Sequence, residues 1–447
     1  MRTRALLRST YLLLAGIAVT LVLLLAALMR PIADDYCYAA GVRNGLWSAL
    51  MHRYLFEGGN LFETLVVLVQ VGLPLVVLPL WVASGLSWLL TLSVLYGAIA
   101  TMVASIFPGQ SRVRAAAGAA SVVGILWLPY WWMPALVPGF ERMRPVFMRT
   151  AKDMLFWHSM QSQYIVVPAL ALVVVIWVKR ASLSKGYKTL LLGVVGVCVG
   201  LSSLILGGGM LLTLAFTCLT KTGRKFCLRL QNMLFIGALL AGIAFQISAP
   251  GTFGRLTQVE AGRVHVSLAS KLGAAFLTGA SQFPLWAVVC TANVGLILAV
   301  VTGFLLGRTH QKQSSGMESR PALRVALWLY LLGFALLLSE KVLEALTYFA
   351  LWHLTYARLS LMAASVVLGV WLSQKLPKVK RENLMLTSVG ALAFLSLTWT
   401  AVAVGGVSVA RANTWASSPH AEGDAAEATY KSWVLDCAVS AGIRFSK

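Results

Sequence analysis

Two adjacent carboxylates, Asp34 and Asp35, stand five residues after the first long apolar run of the chain, which covers residues 11–29. A pair of acids at a water–lipid boundary is costly unless it is solvated, paired or bound to a metal ion. A carboxylate in a cleft can act as a general base on a hydroxyl group, and a neighbouring acid or a partly dry site favours that role by raising the pKa. The competing interpretation is a hydrated helix cap, because Asp is a good N-cap residue.

The composition places these acids in a polytopic membrane protein. Of the 447 residues, 59% are hydrophobic and 12% are charged, and the mean hydropathy is +0.79. Because soluble domains carry about 25% charged residues, we exclude a soluble globular, a disordered and a fibrous chain. Apolar runs of about 20 residues between short basic loops predict helices, since β-barrel strands are about 10 residues long and alternate in polarity. The predicted fold class is all-α.

The net charge of +22 indicates topology rather than nucleic-acid binding, because the basic residues lie in short loops between apolar runs. We assign these loops to the cytoplasm. The basic clusters are Arg112/Arg114, Lys179/Arg180/Lys185/Lys188, Lys221/Arg224/Lys225/Arg229, Arg308/Lys312/Arg320/Arg324 and Lys375/Lys378/Lys380/Arg381.

Between the basic clusters the chain has room for about eleven transmembrane helices, with the N-terminus inside and the tail outside. The first is expected to be a retained signal anchor, because bulky Leu28 and Met29 make a poor cleavage site. The predicted spans are 10–29, 86–107, 115–133, 159–178, 189–204, 206–220, 231–248, 285–307, 325–342, 357–374 and 384–405. The glycines of 207–209 predict a tight hairpin between two of them.

Residues 61–81 are apolar enough to span the membrane, but we interpret them as an interfacial or re-entrant segment. Glu63, Gln70, Pro74 and Pro79 weaken a simple spanning helix. Counting the segment as a full span would also place Arg112 and Arg114 outside and invert every later loop.

The acidic residues collect on the predicted outer face. Only Glu318 and Glu382 of the fifteen acids fall in the proposed cytoplasmic loops. The outer stretches 30–60, 134–158 and 249–284 are longer than connectors need to be, and such loops are usually functional. The predicted organisation is a transmembrane domain over 1–405 and a short outer tail over 406–447. Cys37 and Cys437 both fall outside in this topology, so a disulfide is conceivable, but the sequence does not decide it.

The acid pair, a following amphipathic stretch and the long multi-span chain resemble the GT-C superfamily of membrane glycosyltransferases. More narrowly, the chain is similar to bacterial GT-C-like families with an Asp-Asp-Tyr start and a later Ala-Pro-Gly-x-x-x-Arg element, here Ala249 to Arg255. Such families often carry a Gly-Arg pair near the end of the first loop. This chain has Gly59-Asn60 there, so Arg53 is the candidate for that role.

The resemblance implies transfer of a sugar from a polyprenyl-phosphate donor to an envelope glycan or lipid, usually with inversion, on the outer side of the membrane. It implies that a first-loop acid is the base, and Asp34 is preferred, with Asp35 orienting it or binding a hydroxyl or a metal ion. No cofactor is required, although a divalent cation is conceivable. No nucleotide-binding motif is needed, and the chain has no P-loop and no G-x-G-x-x-G opening a helix.

Several basic and polar residues are candidates for binding the donor or acceptor. A lipid phosphate needs positive charge beside an apolar groove, which Arg supplies bidentately. The alternatives are snorkelling to headgroups for the arginines, helix–helix hydrogen bonding for the span polar residues, and structural pairing for the later acids. The candidates are Arg53, Arg255, Arg358, His158 and Gln161 on one helical face with Ser162, and the pair Glu340 and Glu344.

Two other functions compete with a glycosyltransferase of the bacterial inner membrane. A transporter or flippase for a lipid-linked sugar needs a large central cavity and tolerates loss of Asp34. An outer-face glycan polymerase or ligase relies on outer-loop Arg and His residues, and the candidates are His158, His265 and His353. In each case the partners are membrane lipids, a lipid-linked sugar and a glycan, not nucleic acid.

Overall fold

The computed structural model describes residues 34–106, 158–252, 268–291, 294–310, 320–347 and 355–375, with isolated positions between 20 and 31 and at 436, 437 and 440. The described residues form helices and no strands. This confirms the all-α prediction for that part of the chain. The predicted spans 115–133 and 384–405 lie outside the described residues, as do most of 10–29 and 134–158.

The first helices belong to the predicted outer loop and the segment after it. Helix α1 covers Asp35–Arg43, and α2 covers Leu46–His52 and continues as a π-helical turn over Arg53–Glu57. Segment α3 comprises Leu61–Val67, a π-helical turn over Leu68–Gly72, and Leu73–Val77. The long helix α4 follows over Leu80–Ile106.

The remaining described helices form the bundle. Helix α5 comprises His158–Gln161, a π-helical turn over Ser162–Val166, and Val167–Arg180. The others are α6 (Lys185–Gly200), α7 (Leu204–Cys218), α8 (Lys221–Cys227), α9 (Leu230–Ser248), α10 (Leu268–Thr291), α11 (Val294–His310), α12 (Arg320–Thr347) and α13 (Thr355–Lys375). Short polar breaks precede α6, α7 and α8. In them the hydroxyls of Ser184, Ser203 and Thr220 accept hydrogen bonds from backbone N–H groups in the first turn of the following helix.

Four described helices are long and apolar enough to cross a membrane. They are α4 over Leu80–Met102, α9 over Leu230–Ser248, α12 over Ala322–Leu346 and α13 over Tyr356–Lys375. This supports the membrane assignment. Helices α6 and α7 have 16 and 15 residues, so at 1.5 Å per residue each is shorter than a hydrocarbon core of about 30 Å.

Two sequence-based boundaries are wrong. The glycines 207–209 do not form a hairpin but lie inside α7, and the chain turns before it at 201–203. They lie in α7 because helices need small residues where they pack closely: a Cβ on Gly209 would meet Leu336 of α12. The span predicted to start at 285 is also displaced, since α10 begins at Leu268 and runs through Pro284.

Two apolar cores, among several in the described residues, stabilise the arrangement around α1 and the bundle. The larger joins the bundle helices around fully buried Trp88, Leu239, Leu337 and Leu361. The smaller lies between α1 and α3, where Tyr38 and Leu68 pack with Val71 and Leu75. The π-helical turns of α2, α3 and α5 introduce Arg53, Gln70 and Gln163 beside this smaller core, and such turns occur often at functional sites.

Close packing of α11 on α13 leads to a stability prediction. A Cβ on Gly303 of α11 would collide with the backbone carbonyl of Val366, so we expect Gly303→Ala to destabilise the protein by about 1–3 kcal/mol. The control is Gly237→Ala in α9, where a Cβ meets nothing within 4 Å and alanine favours the helix by up to about 1 kcal/mol. Denaturation by SDS in mixed micelles measures both variants, and equal stabilities would contradict the packing.

Candidate functional site

The two acids of the first loop have different environments. Asp35 is fully buried, and its Oδ1 accepts a hydrogen bond from the backbone N–H of Ser159 at 2.9 Å. Asp34 occupies the N-cap position of α1, but its side chain makes no capping hydrogen bond. Instead it lines an open cavity. The simple cap interpretation therefore does not describe the Asp34 side chain.

The cavity next to Asp34 has a volume of about 390 Å³. Its walls are α1, α2 with the turn that carries Arg53, the first part of α3, and three residues of the C-terminal tail, Asp436, Cys437 and Ser440. The polar side chains that line it are Asp34, Asn44, Ser48, His52, Arg53, Thr64, Asp436 and Ser440. This mixture of carboxylates, hydroxyls and one guanidinium suits a ligand with several hydroxyl groups and some negative charge.

Arg53 and Tyr38 form the basic and aromatic part of the site. The guanidinium carbon of Arg53 lies 5.5 Å from the centroid of the Tyr38 ring, a cation–π distance. Burial raises the pKa of Tyr38 to about 12, while Arg53 lowers it and Asp34 adds to the rise. Tyr38 therefore remains a neutral phenol at physiological pH and can both donate and accept hydrogen bonds.

Tyr38 also connects the first loop to the bundle. Gln163 Nε2 in the π-helical turn of α5 donates to the Tyr38 hydroxyl at 3.1 Å. The hydroxyl of Tyr356 in α13 donates to the backbone carbonyl of Gln163 at 3.2 Å. The rings of Tyr164 and Tyr356 lie 5.1 Å apart. Because these groups are buried, their hydrogen bonds fix the position of α1 relative to α5 and α13.

We expect Tyr38→Phe to destabilise the protein by about 1–3 kcal/mol, because it leaves the buried Gln163 amide without its acceptor. Tyr187→Phe is the matched control, since Tyr187 is 66% exposed at the start of α6. Thermal unfolding of both variants in one detergent gives the comparison. An unchanged midpoint for Tyr38→Phe would mean that this hydrogen bond does not hold α1 in place.

The end of the first loop docks onto the end of α9. The backbone N–H of Gly59 donates to Thr252 Oγ1 at 2.6 Å. A Cβ on Gly59 would lie 2.5 Å from the carbonyl oxygen of Gln246, so only glycine fits this approach. The structure thus brings the first loop into contact with Ala249 to Thr252, the start of the Ala-Pro-Gly element. Asn60, which stands where an arginine was expected, donates to Glu63 Oε1 at 3.0 Å.

A second charged cluster, made of Glu340, Lys341, Glu344 and Arg358, lies on α12 and α13. Glu340 is fully buried, and its charged neighbours are Lys341, Arg358 and Glu344. Lys341 Nζ pairs with Glu344 Oε2 at 2.6 Å and lies 3.8 Å from the centroid of the Trp286 ring on α10. None of these residues lines the Asp34 cavity. The Lys341–Glu344 pair matches the structural alternative for Glu344.

The structure unites only some of the residues predicted from sequence. Asp34 and Arg53 share the cavity, with Asp35 buried at its side, and Gln161 is buried in α5 near Ser159. His158 begins α5, but its side chain lies outside the described residues, and so does all of Arg255. Glu340, Glu344 and Arg358 belong to the second cluster.

Tyr38, Gln163, Thr252 and Asp436 are among the residues of the site that sequence reasoning missed. Tyr38 was detectable, because it follows Asp35 by three residues and shares a helical face with it. For Asp436 the sequence offered one indication, its position directly before Cys437. The structure joins Cys437 to Cys37 in a disulfide between residues 400 positions apart, which resolves the pairing that the sequence left open.

No group of three His, Cys, Asp or Glu side chains arranged to hold a metal ion occurs within the described ranges. Comparisons with models of protein families, with curated proteins and with solved structures find no match. The cavity bounded by Asp34, Arg53 and the disulfide-linked tail is therefore the feature from which a function can be inferred.

Proposed function

We propose that this chain is a membrane glycosyltransferase of GT-C type that moves a sugar from a polyprenyl-phosphate donor to an envelope glycan or lipid acceptor. The observation that carries the proposal is the difference between the environments of the two acids. Asp34 lines an open cavity beside Arg53, while Asp35 is buried and holds the backbone of α5. An accessible carboxylate supported by a buried one is suited to general-base catalysis.

In the proposed reaction, Asp34 accepts the proton of an acceptor hydroxyl. The hydroxyl oxygen then forms a bond to the anomeric carbon of the donor sugar. The bond between that carbon and the phosphate oxygen breaks, and the phosphate leaves with the electron pair, which inverts the configuration at carbon. Arg53 stabilises the developing negative charge on the phosphate by charge-assisted hydrogen bonds.

Asp35 is proposed as a positioning residue. Its bond to the Ser159 N–H fixes the junction of α1 and α5, and with it the direction of Asp34. Arg255 and Arg358 remain candidates for the lipid phosphate, and His158, Gln161, Glu340 and Glu344 for hydroxyl groups. The reaction requires no metal ion, although two adjacent carboxylates can bind a divalent cation.

We further propose that the site faces the outside of a bacterial inner membrane, in a topology of about eleven spans. Contacts of Asp35 with Ser159, of Phe62 with Leu201 and of Gly59 with Thr252 gather these loops at one end of the bundle. Helix α6 begins at the basic residues Lys185 and Lys188, and its other end lies at the site. The basic stretch 221–229 connects α7 with α9, and the far ends of these two helices also lie at the site. Basic loops favour the cytoplasmic side, and a disulfide favours an oxidising compartment.

The same geometry supports an interfacial or re-entrant α3. Its middle and end pack against the short helix α1, and Gly72 lies against the Tyr38 carbonyl. Helix α4 then begins near Ala26, against which Gly85 packs closely. Ala26 lies near the end of the first apolar run, shortly before Asp34. The turn before α4 therefore lies on the same side of the membrane as Asp34 and the start of α3.

The test of the proposed function is glycan profiling of a producing strain. Wild-type protein, Asp34→Asn and Asp35→Asn are compared at matched membrane levels, and the pool of lipid-linked sugar is measured in parallel. Loss of one sugar modification together with accumulation of its lipid-linked donor supports the transferase. An unchanged glycan in both variants removes the proposal.

A transporter of a lipid-linked sugar is the second candidate, because Glu340, Lys341 and Arg358 are buried in helices apolar enough to cross the membrane. Ionisable residues inside a span often mark a substrate or ion pathway. A transporter keeps its activity in Asp34→Asn but loses it when this cluster is neutralised. The polymerase or ligase stays a prediction, since the side chains of His158, His265 and His353 lie outside the described residues.

A further inference from the structure

The C-terminal tail contributes to the cavity of the first loop. Asp436, Cys437 and Ser440 line it together with Asp34 and Arg53, although about 400 residues separate the two segments. Cys437 forms the disulfide with Cys37 and packs against the apolar core of α1 and α3. Asp436 is therefore held at the cavity by the covalent bond of its direct neighbour.

The charged side chains of the cavity interact differently with the two substrates of a transfer reaction. A donor phosphate is attracted by Arg53 but repelled by a carboxylate. A neutral sugar ring offers vicinal hydroxyls, which a carboxylate accepts from and a serine hydroxyl can both donate to and accept from. Asp436 and Ser440 thus suit a neutral sugar ring rather than the phosphate of the donor. Because they share the cavity with Asp34, the proposed base for the acceptor hydroxyl, we assign that ring to the acceptor.

We propose that Asp436 and Ser440 form the acceptor subsite of this cavity, with Asp436 binding hydroxyls of a neutral terminal sugar and the Cys37–Cys437 disulfide holding that subsite in place. This inference rests on the proposed transferase function and adds two binding residues to it. Without the disulfide, Asp436 is tethered to the cavity only through the chain, so its effective concentration there falls.

Steady-state kinetics of the detergent-solubilised, oxidised protein test the subsite, with the acceptor glycan identified by profiling. We expect Asp436→Asn to raise the acceptor KM about 10-fold, equivalent to about 1.4 kcal/mol, and to leave kcat and the donor KM within about twofold. Tyr187→Phe, at the exposed start of α6 and outside the cavity lining, is the control and should behave as wild type. An unchanged acceptor KM in Asp436→Asn, or equal effects on donor and acceptor, overturns the inference.

The role of the disulfide is tested with the double variant Cys37→Ser/Cys437→Ser and with the reductant TCEP. Reduced wild type and the double variant should share one raised acceptor KM, and TCEP should not change the double variant further. If reduction of wild type leaves its acceptor KM unchanged, the disulfide does not hold the subsite.

A labelling experiment decides the placement of the tail without any transfer assay. Thr64 lines the cavity and is buried, so Thr64→Cys reports access to the cavity by a maleimide that does not cross membranes. Labelling should be faster in the double serine variant than with the disulfide intact, and equal rates overturn the tail inference.

If Asp34→Asn leaves the glycan unchanged, the transferase proposal fails first. If Asp34→Asn abolishes transfer while the tail variants keep the wild-type acceptor KM, only the tail inference fails.

Discussion

Asp34→Asn should abolish the sugar modification while the protein remains folded in the membrane. Asparagine keeps the shape of the side chain but cannot accept the acceptor proton, and loss of a general base lowers turnover by about 10²–10⁴-fold. Because asparagine has nearly the same size and can still accept hydrogen bonds through its amide oxygen, the substitution should leave the unfolding midpoint nearly unchanged. The measurement is the initial rate of transfer in membranes that contain equal amounts of each variant.

Asp35→Asn provides the comparison that separates a base from a positioning residue. Its amide oxygen can still accept from the Ser159 N–H, so a smaller loss of activity is expected, accompanied by lower thermal stability. Asp424→Asn controls for the general effect of removing an acid. If Asp35→Asn were the more damaging for turnover at unchanged stability, the two roles would be exchanged.

Arg358→Met should have the largest effect on stability. Arg358 is only 6% exposed, and it is a charged neighbour of fully buried Glu340. The methionine removes one of the two cations beside buried Glu340 and leaves Lys341 as the other. Loss of a charged partner at a buried site costs about 3–5 kcal/mol. SDS denaturation in mixed micelles measures the free energy of unfolding.

The double variant Glu340→Gln/Arg358→Met completes a thermodynamic cycle. Replacing both charges removes the imbalance, so the double variant should be more stable than Arg358→Met alone. Additive losses would show that Glu340 and Arg358 do not interact. A double variant that is stable yet inactive would assign the cluster to a substrate pathway and would favour the transporter over the transferase.

Sequence alone determined the class of this protein and the first acids of its site. Mean hydropathy and the spacing of basic loops depend only on local composition, so they predict helices and a membrane without any knowledge of packing. The cluster of Asp34, Asp35 and Arg53 could be found for the same reason, because all three stand within one short loop.

Local patterns failed where glycines pack against a neighbouring helix and where a proline lies inside a helix. Gly207 to Gly209 suggested a turn, yet they lie within α7 and permit close contact with Ser339 and Leu336 of α12. Pro284 lies inside α10. Helix propensity in a single sequence does not report the small-residue packing that stabilises these helices.

Tertiary structure decided which distant residues complete the cavity and how the two acids divide their roles. Asp34 and Asp35 are neighbours of the same type, and only packing against α5 buries one and leaves the other at the cavity. The contacts of Gly59 with Thr252 and of Cys37 with Cys437 join segments 193 and 400 residues apart. Such contacts depend on the arrangement of the whole bundle, because no local periodicity encodes which loops meet at its end.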